Sequence, residues 1–119
     1  IDKREGIENS TNGNAGSPVQ DSFDINSKQF IEITDNNDFE IDVTAAVDPT
    51  RKGLDGHYYN SPDSGANIVL KFPNGDLFNS SSGTPTITVP TGGFASIRSF
   101  NIGGTYKYIV TAQKDITIT

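Results

Sequence analysis

Apolar and polar residues alternate through much of this chain, in short runs parted by clusters of Gly, Asn, Asp, Ser and Pro. Alternation of this kind places one face of an extended segment against a core and the other in water. In FEIDVT, residues 39 to 44, Phe39, Ile41 and Val43 share one face while Glu40 and Asp42 share the other. FIEIT at 30 to 34 stands before it across DNND, and the two predict a β-hairpin with one solvated face. NIVLKF at 67 to 72 leads into Pro73, Asn74, Gly75 and Asp76 and then a short LFN. Asn-Gly between apolar segments accepts positive φ at both positions, so a second hairpin is expected there. TITV at 86 to 89, FASIRSFNI at 94 to 102, TYKYIVTA at 105 to 112 and DITIT at 115 to 119 bring the total to about eight strands. Pro90 has no N–H for a ladder and Gly92-Gly93 is free to turn, which makes residues 90–93 a tight corner with Phe94 and Ile97 beyond it as core candidates. Residues 45 to 66, AAVDPTRKGLDGHYYNSPDSGA, are dense in turn formers and read as one long irregular connection, of the sort that usually carries function. The only helical expectation is a single turn over 44 to 47. Regularly spaced turn signals of this kind belong to an all-β fold, a small antiparallel β-sandwich or jelly roll.

Composition agrees with the pattern. Against 13 Ile, 6 Val, 7 Phe, 4 Tyr and 12 Thr stand 3 Leu and no Met, so residues that suit a pleated surface abound and the usual fillers of helix faces are nearly missing. At 119 residues there is room for one domain with a modest core. Cys is absent, which excludes disulfides and thiolate metal sites. No apolar run approaches a membrane span, and no basic-then-apolar signal segment stands at the start. The sequence opens on Ile1 rather than Met, as in a processed product or a piece of a longer chain. The net charge of −6 is unevenly spread: residues 21–48 hold eight acidic groups against Lys28 alone, and residues 49–119 hold six basic and four acidic groups. Phosphate neutralisation needs a basic stripe, so neither nucleic acid nor a membrane is expected as a partner.

Residues 1 to 22 mix charges with Asn, Gly, Ser and Thr and follow neither period. A segment this polar does not offset the roughly 1–2 kcal/mol of backbone entropy per residue by itself, and needs a surface to order on, its own domain or a neighbour. The expected organisation is therefore an extended N-terminal arm over 1–22 and a β-sandwich domain over 23–119, with Ile7, Val19 and Phe23 as the arm's apolar anchors on a partner.

Candidate chemistry is sparse. His57 is the only His, and Ser80 to Ser82 lack the elbow context of an activated nucleophile. Glu32, Glu40 and Asp42 would face one another across the expected hairpin, at a separation a glycosidase could use. On a solvated face they lack the burial that raises a general acid, and a hydrated surface that deters edge pairing is the plainer reading. DNND, and Asp55 with Asp63, do not follow calcium-loop spacing. No catalytic residue, metal or cofactor is expected. His57-Tyr58-Tyr59-Asn60 falls in the long connection, and adjacent aromatics on an extended backbone cannot both point inward. At least one is expected to be exposed, which makes His57, Tyr58 and Tyr59 the candidate receptor or glycan contacts; the alternative is that one Tyr plugs the end of the sandwich and the other is incidental. Asn9-Ser10-Thr11 and Asn79-Ser80-Ser81 fit the N-glycosylation pattern, a match that an Asn- and Ser-rich chain meets by chance.

TITVPTGGFASIRSFNIGGTYKYIVTA, residues 86–112, resembles the small β-sandwich modules of tailed-bacteriophage virion proteins: head fibres, capsid decoration proteins and tail-fibre tips. In those modules a strand ending in V-P-x-G-G precedes a strand of small and polar residues, a Gly turn and an aromatic-rich closing strand. SGANIVLKFPNGDLFN, residues 64–79, is similar in kind. The resemblance implies a non-enzymatic structural protein on the virion surface, attached through its N-terminal arm to other capsid or fibre proteins, frequently as a homotrimer. The alternative expectation is a secreted or cell-surface carbohydrate-binding module, extracellular, with a glycan stacked on Tyr58 and Tyr59.

Overall fold

The computed structural model describes residues 19–22, 27–33, 36–44, 53–72, 77–103 and 105–119. Its strands are β1 (Val19–Ser22), β2 (Ser27–Ile31), β3 (Phe39–Thr44), β4 (Gly53–Asn60), β5 (Ile68–Lys71), β6 (Thr86–Val89), β7 (Phe94–Ile102), β8 (Thr105–Lys114) and β9 (Thr117–Ile118), with no helix among the described residues. They form a five-stranded sheet in the order β1-β3-β5-β6-β9 and a four-stranded sheet in the order β2-β4-β7-β8. The protein is an all-β sandwich.

Its sheets are mixed rather than wholly antiparallel. β1 runs parallel to β3, β3 to β5 and β2 to β4, and the remaining pairs are antiparallel. The cause is the path of the chain, which steps from one sheet to the other at each passage from β1 to β5. Each such arch reverses the chain, so strands two apart in sequence come to lie side by side in one sheet with the same direction. FIEIT and FEIDVT are thus an arch and not a hairpin: β2 and β3 belong to different layers, and Ile31 and Ile33 share one core with Ile41 and Val43. Loop 61–65 fastens the arch. Ser61 N–H donates to Ile31 O at 2.9 Å, Gly65 N–H to Ile33 O at 2.9 Å, and the Ser64 hydroxyl accepts from Ile33 N–H at 2.9 Å while donating to Ile31 O at 3.3 Å.

Two further expectations are corrected. β5 has β6 as its antiparallel partner, while Leu77 makes a parallel bridge to Tyr108 of β8, so LFN does not return alongside β5; the turn at 73–76 lies outside the described residues. The connection 45–66 is not irregular throughout, because Gly53–Asn60 is a strand held on both sides, by β2 and β7. Pairing of that extent overrides the poor strand propensity of its Gly and Asp residues. Residues 45–52, with most of the suggested helical turn, lie outside the described residues.

Alternation sets the core. Ile68 and Leu70 of β5, Ile87 and Val89 of β6, Ile41 and Val43 of β3 point inward, against Ile31, Tyr58, Ala95, Ile97 and Tyr108 from the other sheet. Phe72 and Tyr108 pack ring against ring, centroids 5.2 Å apart at 56°. Ile97 joins this core as expected, whereas Phe94 is half-buried on the opposite face of β7. The register shift between Ser96 and Ile97 skips Thr111 of β8 and leaves β7 alternating, so two residues three positions apart on β7 have opposite parity and cannot share a side.

Residues 90–93 form the expected corner, which carries the chain from the five-stranded to the four-stranded sheet. Gly92 has φ 79° and open space where a Cβ would stand, so Gly92→Ala is expected to cost about 1–2 kcal/mol of left-handed strain. Gly93 is glycine for a different reason. A Cβ there would lie 2.7 Å from Lys114 O and 3.1 Å from Pro90 O, both backbone atoms. Gly93→Ala is therefore expected to be the worse of the two, toward the upper end of the roughly 1–3 kcal/mol of overpacking. Paired urea denaturation curves check the order.

Candidate binding face

Parity along β4 distributes the chemistry. Gly56, Tyr58 and Asn60 are buried, and His57 and Tyr59 stand half-exposed on the outer face of the four-stranded sheet. Tyr58 is the core residue of the two and Tyr59 the half-exposed one, so at least one of them faces outward, as adjacent residues on an extended backbone require. Tyr58 offers no surface for contact. It sits within the core, at 0% exposure, on a strand flanked by β2 and β7. It is therefore removed from the candidate contacts.

Strand register then builds rows across the outer face. Phe30 of β2 lies opposite Tyr59 of β4, Tyr59 opposite Phe94 of β7, and Phe94 opposite Lys114 of β8. The next row holds His57, Ser96 and Ala112, and beyond it Arg98 and Ile109, then Phe100 and Lys107. The Tyr59 and Phe94 rings stand 5.8 Å apart, tilted 43°. His57 Nδ1 and the Ser96 hydroxyl are hydrogen-bonded at 2.9 Å. The Arg98 guanidinium lies 5.5 Å from the centre of the Phe100 ring, within cation–π range. Phe30 is 42% and Phe100 36% exposed.

The other sheet looks different from outside. Its outward positions include Glu40, Val69, Lys71, Thr86 and Thr88, and Glu40 and Lys71 form an ion pair of 3.1 Å across β3 and β5. One outer face is thus small, polar and partly acidic, and the other aromatic with cations around the rings. Aromatic rings half-exposed in a line across neighbouring strands are an expensive way to finish a solvated sheet, and mark a surface that meets something.

No known family model, curated protein or solved structure matches this chain. The site therefore has to be read from its own chemistry.

The other residues singled out in the sequence come together less. Glu32 and Glu40 lie on either side of the arch between the two sheets, so the carboxylate pairing across a hairpin does not form. Asp38 is used structurally, its Oδ1 accepting Asn67 N–H at 3.1 Å, and Asp63 is exposed. No cluster of three or more His, Asp or Glu able to hold a metal occurs among the described residues. Val19 opens β1, in register with Ile41 at one edge of the five-stranded sheet, so the last four residues assigned to the arm are a strand of the sandwich itself. Ile7 and Phe23 lie outside the described residues. Asn79 of the second glycosylation pattern accepts Val110 N–H through its Oδ1 at 3.0 Å. It borders an open groove of about 550 Å³ lined also by Val110, Ile116 and Ile118, with Phe78 beside it 75% exposed.

Sequence reasoning missed Phe30, Phe94, Ser96 and Arg98 as parts of one surface. The His57–Ser96 contact has the atoms of a base and a nucleophile. Among the described side chains no carboxylate hydrogen-bonds the imidazole, and the Ser96 backbone belongs to a sheet ladder rather than to a strained elbow. Set with rings and with the His57–Ser96 pair, the face is suited to holding a ligand.

Proposed function

We propose that this chain is a non-enzymatic structural protein of a virus particle, a capsid decoration or fibre module attached through its N-terminal arm, which presents the outer face of the four-stranded sheet for contact. The observation that carries the binding role is the aromatic row Phe30–Tyr59–Phe94, aligned by register across three strands. The virion setting is supported by the resemblance of residues 86–112, whose strand, corner and strand order the fold contains as β6, residues 90–93, β7 and β8. In this reading the partners are other capsid or fibre proteins, with the module repeated as a homotrimer and the ring-bearing face turned outward. Immunogold electron microscopy, with an antibody against the sandwich and purified particles of the virus whose genome carries this sequence, is expected to label the particle surface. Particles free of label would overturn the assignment.

A second reading, a secreted or cell-surface carbohydrate-binding module, is favoured by the same aromatic row with the roles redistributed from Tyr58 and Tyr59 to Phe30, Tyr59 and Phe94. Recovery of the chain from the medium or cell surface of a cellular source, rather than from particles, decides for this one.

A further inference from the structure

We propose that the side of the sandwich where β8 and β9 end their sheets is the contact between copies of this chain, with Phe78 of one copy seated in the groove of a neighbouring copy. The inference deepens the reading of the module as a homotrimer, on which it rests for the identity of the partner, and gives that assembly a surface.

Ring and groove lie side by side. β8 closes the four-stranded sheet and β9 the five-stranded one. The groove of about 550 Å³ opens between them, lined by Val110 of β8, Ile118 of β9 and Ile116 of the turn that joins the two. These three half-buried side chains pack against the core, so the groove is where the core reaches the surface. Leu77 turns inward at 2% exposure and Phe78 outward at 75%, which makes Phe78 the most exposed large apolar side chain among the described residues. Phe78 N–H donates to Tyr108 O at 2.7 Å and Val110 N–H to Asn79 Oδ1 at 3.0 Å, and these bonds hold the turn at the edge of the groove. The ring is thus presented to water and is not taken up by the groove of its own chain. A second copy supplies both pieces at once, and each contact removes one ring and one apolar groove from water.

Charge favours a second copy as the occupant. The chain is at −6, so two copies repel each other over their surfaces as a whole. Among the described residues none that lines the groove is charged, and Lys114 and Asp115, beside it in sequence, hold each other at 3.2 Å. A neutral patch on a charged chain is where identical surfaces meet without repulsion, and a cationic or anionic partner would find no free charge there to pair with. β8 is also an unguarded edge: Tyr108 to Gln113 include neither a charged residue nor Pro, the residues that commonly keep an edge strand from pairing with another chain. β1, which follows residues 1–18, lies at the opposite end of its sheet from β9. Copies joined through β8 and β9 therefore leave that end, and the aromatic row of β2, β4 and β7, uncovered.

Sedimentation equilibrium on the full chain over a wide range of concentration tests the proposal. The chain is expected to form a species of several copies that dissociates on dilution. Phe78→Ser is expected to weaken the association about tenfold, the loss typical of a central aromatic contact. Gln113→Glu, at an exposed position lining the groove, sets a like charge into every contact and should weaken it by about as much. Added salt should strengthen the association, because it screens the repulsion between copies and there is no ion pair to lose. Should a variant fail to fold, hydrogen exchange on the unaltered chain, compared between high and low concentration, must place the added protection on residues 77–79 and 108–118. A monomer at every concentration, association unmoved by both substitutions, or protection elsewhere would each overturn the proposal. So would association that Phe30→Ser abolishes and Phe78→Ser does not, which moves the contact to the aromatic face. Labelled particles with a chain that stays monomeric would leave the virion assignment standing and remove only this contact. Unlabelled particles with association through this edge would do the reverse.

Discussion

Tyr58→Ala is expected to lower the stability of the protein by about 3–5 kcal/mol, the cost of emptying a fully buried aromatic site. Tyr58 is among the largest side chains with no exposed surface, and it contributes to the core from a strand bonded on both sides. A domain of this size is stable by some 5–15 kcal/mol, so the substitution removes about a fifth of that at the least. Tyr59→Ala, one position away, removes a half-exposed ring from the outer face and is expected to cost no more than about 1 kcal/mol. Urea denaturation followed by circular dichroism should therefore show the midpoint dropping steeply for the first and slightly for the second, with similar slopes. The reverse order would mean that β4 presents its other side to the core, and would undo the binding face with it.

The second large effect is expected at Asn60. Its side chain is buried where the end of β4, loop 61–66, the end of β6 and the corner at 90–93 converge. Nδ2 donates to Ala66 O at 3.1 Å and to Val89 O at 3.0 Å, the backbone N–H donates to Gly93 O at 3.0 Å, and the backbone carbonyl accepts Gly92 N–H at 3.0 Å. One residue thereby joins the two sheets through groups that could not otherwise be paired away from water. Asn60→Ala leaves two carbonyls without their donor, at about 1–2 kcal/mol each, so a loss of some 2–4 kcal/mol is expected. Asn60→Asp keeps the shape yet sets a carboxylate against those carbonyls, and at neutral pH it should be at least as damaging as alanine. If Asp were tolerated as well as Asn, the side chain would be filling space and not tying the sheets.

These residues also show how far local pattern reaches. Asn60 looked like one polar residue in a turn-rich stretch, because Gly, Asp and Asn around it argue for a loop. Only the partners on either side, β2 and β7, reveal a strand. The split between Tyr58 and Tyr59 was legible, since an extended backbone sends neighbours to opposite sides, but which one entered the core was not. The aromatic row was less legible still: Phe30, Tyr59 and Phe94 come from three distant segments, and nothing in any one of them signals the other two. Gly93 was legible as part of a corner, while its conflict with Lys114 O depends on a strand that closes over it later in the chain.

By itself the sequence determined that this chain builds pleated, half-buried strands, where most of them run, and which of their sides are apolar. β6 and β7 occupy the spans expected of them, and the alternation of β3, β5 and β6 sorts their inward from their outward residues. Tertiary structure alone decided the partners. Period-two alternation states that one side of a strand is buried, and this holds equally for a hairpin within one sheet and an arch between two. Backbone hydrogen bonds, which choose between them, are nearly blind to side-chain identity. The choice is made when both layers close on a common core, and that closure is also what draws Phe30, Tyr59 and Phe94 into one line.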